Sequence, residues 1–191
     1  MKEQPEGSQS GQKIRVVAVI GAGNAGRSFA FACSAAGFYV VLEDVMPSNL
    51  RKAEMEYSDL SRRGGFGALE LASTVEDAVR EADLAIDFVP DELESKLEIF
   101  SMIDRMAPPK TILCTPSTAL SITDLASCVY RPERCVALRG EIARGEVVQV
   151  VFPPAAERGV LELVGEMLQR LGTFPSLIPD PEDSVLTKNM A

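Results

Sequence analysis

The chain has 191 residues, of which 46% are hydrophobic and 25% are charged, and its formal net charge is −9. This length and apolar content are sufficient to bury one substantial core. The acidic balance, with a sequence pI near 4.7, argues against a general affinity for nucleic acid or for an anionic membrane. No apolar run approaches the roughly 20 residues that span a bilayer. The chain contains no histidine, so its own residues cannot supply the commonest general base.

The cysteines indicate a reducing environment rather than a metal site or a disulfide framework. They form no C-x-x-C pair and no metal-ligand spacing, and the first residues lack the pattern of a secretory signal. We therefore expect no bound metal and a cytosolic protein whose thiols are reduced and mostly buried. The four cysteines are Cys33, Cys114, Cys128 and Cys135.

Strands and helices alternate along nearly the whole chain. Residues 1–12 are polar and without periodicity, so we expect a disordered leader there, and we expect a tail at 181–191. Between them, at 13–180, alternation with short links predicts one α/β domain of Rossmann type, a mostly parallel sheet with helices on both faces. The predicted strands are 13–20, 38–44, 68–74, 83–90, 110–117, 134–139, 146–152 and 174–180, and the predicted helices are 23–37, 47–60, 73–83, 91–107, 121–129 and 155–172.

Side-chain patterns at three predicted helices are specific enough to test. Ser73 or Thr74 is placed as an N-cap, and Ser121 with Asp124 resembles a capping box. The helix predicted at 91–107 carries an apolar stripe. The stripe consists of Leu93, Leu97, Phe100, Ile103 and Met106.

The first strand ends abruptly in a glycine-rich loop. Residues 16–26 read VVAVIGAGNAG, which places a G-x-G-x-x-G motif between a strand and a helix. The first glycine allows a tight turn, the second lets a pyrophosphate approach the backbone, and the third lets helix and strand pack closely. Free N–H groups at the helix start favour an anion. The motif predicts a dinucleotide held by the loop residues Gly21, Ala22, Gly23, Asn24, Ala25 and Gly26.

An aspartate completes the dinucleotide pattern. Asp44 follows Gly26 by 18 residues, at the end of the second predicted strand. A carboxylate there accepts hydrogen bonds from the adenosine ribose and repels the extra phosphate of NADP, so NAD is the predicted cofactor. Arg51 and Lys52 lie beyond the aspartate in a predicted helix, where a solvated face is expected. The competing interpretation is that the glycines make a tight turn and that Asp44 caps a helix.

Several segments together resemble the NAD-binding domain of the 3-hydroxyacyl-CoA dehydrogenases, over about 13–180. They are VVAVIGAGNAG, VVLED, DLAIDFVPDELESKLEIFSMID, ILCTPSTALSITDLA and YRPERCVAL. The stretch 83–138, with LSIT followed by RPER, is the most specific part. The resemblance implies an oxidoreductase that acts on a 3-hydroxyacyl-CoA or a related hydroxy acid with NAD.

The resemblance also assigns residues on the nicotinamide side. Asp91 stands where the family has a glutamate near the nicotinamide ribose, and Lys96 matches a cofactor-contacting lysine. Thr118 falls where the family has a serine that helps to hold substrate and cofactor, and a threonine hydroxyl can still donate and accept there. The alternative for Lys96 is an exposed helix lysine that pairs with Glu92.

The family's acid–base pair is not recognisable. Arg139 occupies the place of the histidine that removes the hydroxyl proton, and arginine stays protonated at ordinary pH. The glutamate that orients this histidine falls near Gln149 or Val151, and the family's asparagine is Ile142. The family's helical second domain, which closes the cleft and carries the usual dimer contact, would begin near 181.

The sequence therefore leaves three functions open. The chain is a dehydrogenase that takes its base from elsewhere, a non-catalytic NAD(H)-binding module or subunit, or a protein in which Arg139 clamps an anionic ligand. The expected small-molecule partners are NAD(H) and an acyl-CoA or a small carboxylate, with a homo-oligomer or a partner subunit left open. Arg62 and Arg63 could meet an acidic ligand such as a CoA phosphate, although an exposed basic turn is the simpler interpretation.

Overall fold

The computed structural model describes residues 13–62, 64–65 and 67–180. The predicted leader, the predicted tail and Arg63 lie outside the described residues. No helix in these ranges is both long and apolar enough to cross a bilayer. The elements are β1 (Val16–Ile20), α1 (Asn24–Ala35), β2 (Tyr39–Glu43), α2 (Pro47–Ser61), β3 (Leu69–Ala72), α3 (Val75–Val79), β4 (Leu84–Asp87), α4 (Leu93–Met106), β5 (Ile112–Pro116), α5 (Ile122–Ala126), β6 (Cys135–Arg139), β7 (Val147–Phe152), α6 (Arg158–Arg170) and β8 (Phe174–Pro179).

The strands form one sheet in the order β3-β2-β1-β4-β5-β6-β7-β8. The strands from β3 to β6 are all parallel, β7 is antiparallel to β6, and β8 is parallel to β7. This arrangement confirms the predicted Rossmann-type α/β fold. The strand order reverses direction between β1 and β4, and a crevice opens there at the carboxyl ends of the strands, where dinucleotides bind in this architecture.

Both faces of the sheet are buried, which explains the continuous apolar runs of the strands. Along β1, Val17 and Val19 pack on one face with α1 and α6. Ala18 and Ile20 pack on the other face with α3, α4 and α5. The core therefore has two layers, and the loops at the carboxyl ends of the strands are held from both sides.

The edge strand β8 is protected against pairing with another chain. The N–H groups of Phe174 and Asp180 donate to β7-side carbonyls, those of Glu146 and Phe152, so alternate N–H groups face β7 and the others face outward. Pro175 and Pro179 occupy two outward positions and have no N–H to donate. This edge is therefore a poor template for strand addition.

The predicted N-caps of α3 and α5 are confirmed, whereas one residue of the predicted apolar stripe is wrong. The hydroxyl of Thr74 accepts from Asp77 N at 3.2 Å, and that of Ser121 accepts from Asp124 N at 3.2 Å. In α4, Phe100 and Ile103 are buried, and Leu93 and Leu97 pack partly buried against the core, as predicted. Met106 is the exception and is 42% exposed. Lys96 lies on the buried face because its ammonium forms an ion pair there with Asp87. Apolar periodicity could not predict this pair.

The family-like RPER segment has a packing role. The guanidinium of Arg131 donates to the Asp104 carboxylate at 2.7 Å and also to the carbonyls of Asp104, Ala107 and Pro108. These are the last carbonyls of α4 and of the turn that follows, which lack intrahelical partners. Arg131 thus fixes the connection between α4 and β5.

The turn between β1 and α1 tests the fold directly. A Cβ on Gly26 would overlap the carbonyl oxygen of Gly21. We expect Gly26→Ala to lower the free energy of unfolding by about 3 kcal/mol or more, because a rigid backbone must move. Urea unfolding followed by circular dichroism measures this change.

Gly159→Ala is the matched control, since a Cβ at this helical glycine meets no atom within 4 Å. Its stability should rise by about 0.5–1 kcal/mol. Equal stabilities of the two variants would contradict the account of the turn.

Candidate functional site

The glycine loop leaves room in front of its second glycine. Gly21 has φ +100° and its N–H donates to Glu43 O at 2.9 Å, so this glycine and the packed Gly26 are needed for the turn. Gly23 is different, because its φ is −63° and a Cβ there would meet no atom within 4 Å. The fold does not require glycine at this position. The tight-turn interpretation explains Gly21 and Gly26. It does not explain Gly23, and the free space there is available to a ligand.

The N-terminus of α1 presents free donors beside this space. The first intrahelical bond runs from Arg27 N to Gly23 O at 3.0 Å, so the N–H groups of Asn24 and Ala25 precede the helical ladder. Both residues are exposed. Such donors, aligned with the helix dipole, suit a pyrophosphate.

Asp44 joins the glycine loop to the end of β2. Its Oδ2 accepts from Ala22 N at 2.8 Å and from Asn49 Nδ2 at 3.0 Å, and its Oδ1 accepts from Met46 N at 2.7 Å. The N-cap of α2 is Met46, so the interpretation of Asp44 as a helix cap is wrong. A carboxylate offers about four lone-pair sites, and one remains for a ribose hydroxyl.

A cavity of about 520 Å³ lies over this part of the crevice. Gly21, Gly23 and Asp44 line it, together with apolar side chains from β1, α3 and α4. Ala22 and Gly26 are buried, and they act through the N–H of Ala22 and the close packing of Gly26. The cavity has the mixed lining expected of an adenosine pocket, so the residues present fit a dinucleotide.

Two site residues escaped the sequence analysis. Arg27 is 6% exposed and donates to Ala22 O, to Asn24 Oδ1 and to Glu56 Oε2, which ties the loop to α1 and α2. Glu43 lines the cavity with a carboxyl that is almost fully buried. The signal for Arg27 was its place on the buried face of α1. Glu43 gave no signal, because a strand end accepts polar and apolar residues alike.

The structure brings Asp91 and Thr118 together at the ends of β4 and β5. Asp91 Oδ2 accepts from both the N–H and the hydroxyl of Thr118, each at 2.9 Å. Burial raises the pKa of Asp91, but hydrogen bonds from Thr118 and from the Ser117 hydroxyl outweigh it and leave the pKa below its usual range. The carboxylate therefore stays charged and can accept from a sugar hydroxyl. Its contact with a nicotinamide ribose remains a prediction.

Lys96 is buried beside this region, at the last residues of β4 and β5. Its ammonium is 1% exposed and donates to Asp87 Oδ1 at 2.7 Å and to Pro116 O at 3.1 Å. The alternative in which Lys96 is exposed and pairs with Glu92 is therefore wrong. Two of its three N–H groups are used within the protein. The predicted contact with a cofactor would have to come from the third and remains a prediction.

Arg139 lies at the end of β6, and its Nη2 donates to Leu120 O at 2.9 Å. Its Nε is buried and has no hydrogen-bond partner. The strand register places Gln149 directly opposite Arg139, whereas Val151 pairs with Ala137. Ile142 packs against the core. The Arg139 guanidinium thus holds a loop, with the Gln149 amide across from it, and its equivalence to the family's base remains a prediction.

The remaining predicted features have structural explanations. Arg62 pairs with Asp59 at 2.7 Å on an exposed surface, which agrees with a basic turn. Cys33, Cys114 and Cys135 are buried free thiols, and burial raises their pKa values, whereas Cys128 is exposed. Over the described part of the chain, no group of acidic or cysteine side chains is arranged to hold a metal ion.

Removing one partner of the buried Asp87–Lys96 ion pair should strongly destabilise the folded protein. We expect Lys96→Met to lower the free energy of unfolding by about 3–5 kcal/mol, because it leaves Asp87 buried without its partner. The double variant Lys96→Met, Asp87→Leu should recover most of this loss. A urea-unfolding double-mutant cycle measures both. A single variant within about 1 kcal/mol of the wild type would contradict the pair's role.

Comparison with known proteins agrees with this geometry. A sequence profile described as "3-hydroxyacyl-CoA dehydrogenase, NAD binding domain" matches residues 16–176. A 3-hydroxybutyryl-CoA dehydrogenase of Bradyrhizobium diazoefficiens is 26% identical over 174 residues, which cover 83% of this chain and 59% of that protein. A 5-formyl-3-hydroxy-2-methylpyridine 4-carboxylate 5-dehydrogenase of Mesorhizobium japonicum is 29% identical over 86% of this chain and 57% of its own length.

Solved structures share the fold. The (S)-3-hydroxybutyryl-CoA dehydrogenase of Ralstonia eutropha superposes with a TM-score of 0.77 at 18% identity, over 93% of this chain and 68% of that one. The chain spans about half the length of the curated relatives it matches. The chain therefore belongs to the 3-hydroxyacyl-CoA dehydrogenase family, and residues 16–176 are its NAD-binding domain.

Proposed function

We propose that this domain binds NAD(H) across the crevice between β1 and β4 and that, on its own residues, it does not catalyse dehydrogenation. The pyrophosphate would lie in the space before Gly23, on the N–H groups of Asn24 and Ala25. The free space at Gly23 is the observation that carries the proposal, because no contact among the described residues requires a glycine there. The adenosine ribose would bind Asp44, and the nicotinamide half would lie toward Asp91 and Thr118.

The same arrangement favours NAD over NADP. A 2′-phosphate would approach the Asp44 carboxylate and be repelled by it. Arg51 and Lys52 are exposed on the first turns of α2 and do not line the adenosine cavity. We therefore infer that neither compensates for the aspartate.

The position that the family resemblance assigns to the catalytic base holds no proton acceptor. General acid–base assistance contributes on the order of 100- to 10,000-fold in rate, and the guanidinium of Arg139 cannot supply it. Gln149, across the strand pair, has no charge with which to orient a base. An NAD(H)-binding module or subunit is thus the function that the geometry supports best.

A second candidate function rests on Arg139 itself. One N–H of its guanidinium is used by Leu120 O, and the side chain is partly exposed, so other N–H groups can meet a ligand. A carboxylate is the ligand that such a group pairs with most strongly. One relative is named for a pyridine carboxylate and another for a CoA thioester, so we propose an acyl-CoA or a small carboxylate as the second ligand.

The proposed binding mode is tested by filling the space at Gly23. We expect Gly23→Ala to weaken NADH binding at least about tenfold, because the methyl group occupies the path of the pyrophosphate. Isothermal titration with NADH measures the change, and NADPH should bind more weakly than NADH to the wild type. Gly159→Ala is the control and should bind as the wild type does. Unchanged affinity of Gly23→Ala would refute the mode.

The proposed lack of turnover is tested with substrate. We expect NADH oxidation in the presence of acetoacetyl-CoA to proceed no faster with the isolated chain than in buffer. A spectrophotometric assay at 340 nm follows the reaction. Turnover at about 1 s⁻¹ or faster would show that another group of the chain serves as the base, and would favour a dehydrogenase.

A further inference from the structure

The cavity on the adenosine side contains a second carboxyl that the fold leaves without a partner. Glu43 is the last residue of β2, and its side chain is 2% exposed. Its Oε1 is buried and has no hydrogen-bond partner. The residue lines the same cavity as Gly23 and Asp44, and its carbonyl holds Gly21 N at 2.9 Å. A buried polar atom without a partner is costly, so its retention calls for an explanation.

The surroundings of Glu43 disfavour its charge. Ile20 of β1 and Ala72 of β3 flank it in the sheet, and Val75 of α3 lines the cavity beside it. The charged groups that face the cavity are Asp44 and, from α4, Glu98, and none of the described lining residues is cationic. Burial first, and then the neighbouring Asp44, raise the pKa of Glu43 to about 7.

A dinucleotide would push this balance further toward the uncharged acid. Its pyrophosphate adds negative charge at the glycine loop, next to the end of β2. Adenine presents an amino donor beside a ring-nitrogen acceptor, which a glutamine amide can pair with in bidentate fashion. A protonated carboxyl has the same donor and acceptor pair, whereas a carboxylate can only accept.

We propose that Glu43 contacts the adenosine half of NAD(H) in its uncharged form, so that cofactor binding takes up a proton at this carboxyl. The inference deepens the proposed cofactor site and rests on it. The proton comes from solvent and is returned when the cofactor leaves, so no other group changes its protonation. Glu43 is then both a contact for the cofactor and the reason that affinity depends on pH.

The pH dependence has a definite sign. Below about pH 6 the carboxyl is already uncharged and NADH binds most tightly. As the pH rises, the uncharged fraction falls and the dissociation constant grows, by about tenfold between pH 6 and pH 8. ADP-ribose should show the same profile, because it keeps the adenosine and the pyrophosphate and lacks only the nicotinamide.

Variants separate the contact from its charge. We expect Glu43→Gln to bind NADH at pH 8 as tightly as at pH 6, because the amide keeps the hydrogen bonds and cannot ionise. Glu43→Leu should bind at least about fivefold more weakly than the wild type at pH 6, with a flat profile, because it removes the contact. Glu166→Gln is the matched control, since this exposed carboxylate on α6 does not line the cavity and its loss should leave the pH profile of the wild type intact.

Isothermal titration of NADH and ADP-ribose from pH 6 to pH 8 gives these values, with thermal melts to establish that each variant is folded. A flat profile for the wild type, a profile retained by Glu43→Gln, or full affinity of Glu43→Leu at pH 6 would each overturn the assignment. Those results would leave the cofactor site standing. Failure of the wild type to bind either ligand at pH 6 would overturn the cofactor site as well.

Discussion

The close approach of Gly26 to the carbonyl oxygen of Gly21 is the contact on which the rest of the site depends. Because no side chain separates them, α1 can begin directly after β1 and aim its first N–H groups over the crevice between β1 and β4. Asp44 then fastens the loop through Ala22 N, and Arg27 fastens it from the other side through Ala22 O. Three independent contacts therefore hold a short piece of main chain in an open, anion-accepting shape.

The two halves of the crevice differ in what they can do. On the adenosine side, main-chain donors provide the positive potential, and the side chains that line the cavity are carboxyls, neutral polar groups or apolar groups. Such a lining suits a ligand whose charge is concentrated in the middle and whose ends form hydrogen bonds. At the end of β6, Arg139 holds the loop at Leu120, and the guanidinium stays protonated at ordinary pH. The residues that fit the cofactor are thus separate from any residue that would transfer a proton.

The alternation of apolar strands and amphipathic helices was enough to predict the sheet, and the glycine motif with Asp44 predicted residues that line one cavity. Local patterns failed where two distant residues satisfy each other. Lys96 can be buried because its ammonium pairs with the Asp87 carboxylate. Arg27 can be buried because its guanidinium donates to a carbonyl and to a carboxylate. The role of Glu43 could not be predicted, because the cavity that it lines is formed by residues of four other elements. The register that sets Gln149 against Arg139 required the paired strands.

A crystal structure of the chain with NADH bound tests the central claim most directly. The account predicts density for the pyrophosphate against Gly23, within hydrogen-bonding distance of Asn24 N and Ala25 N, and ribose hydroxyls on Asp44. A cofactor seated elsewhere, or a loop whose space before Gly23 stays empty at saturating NADH, would contradict it.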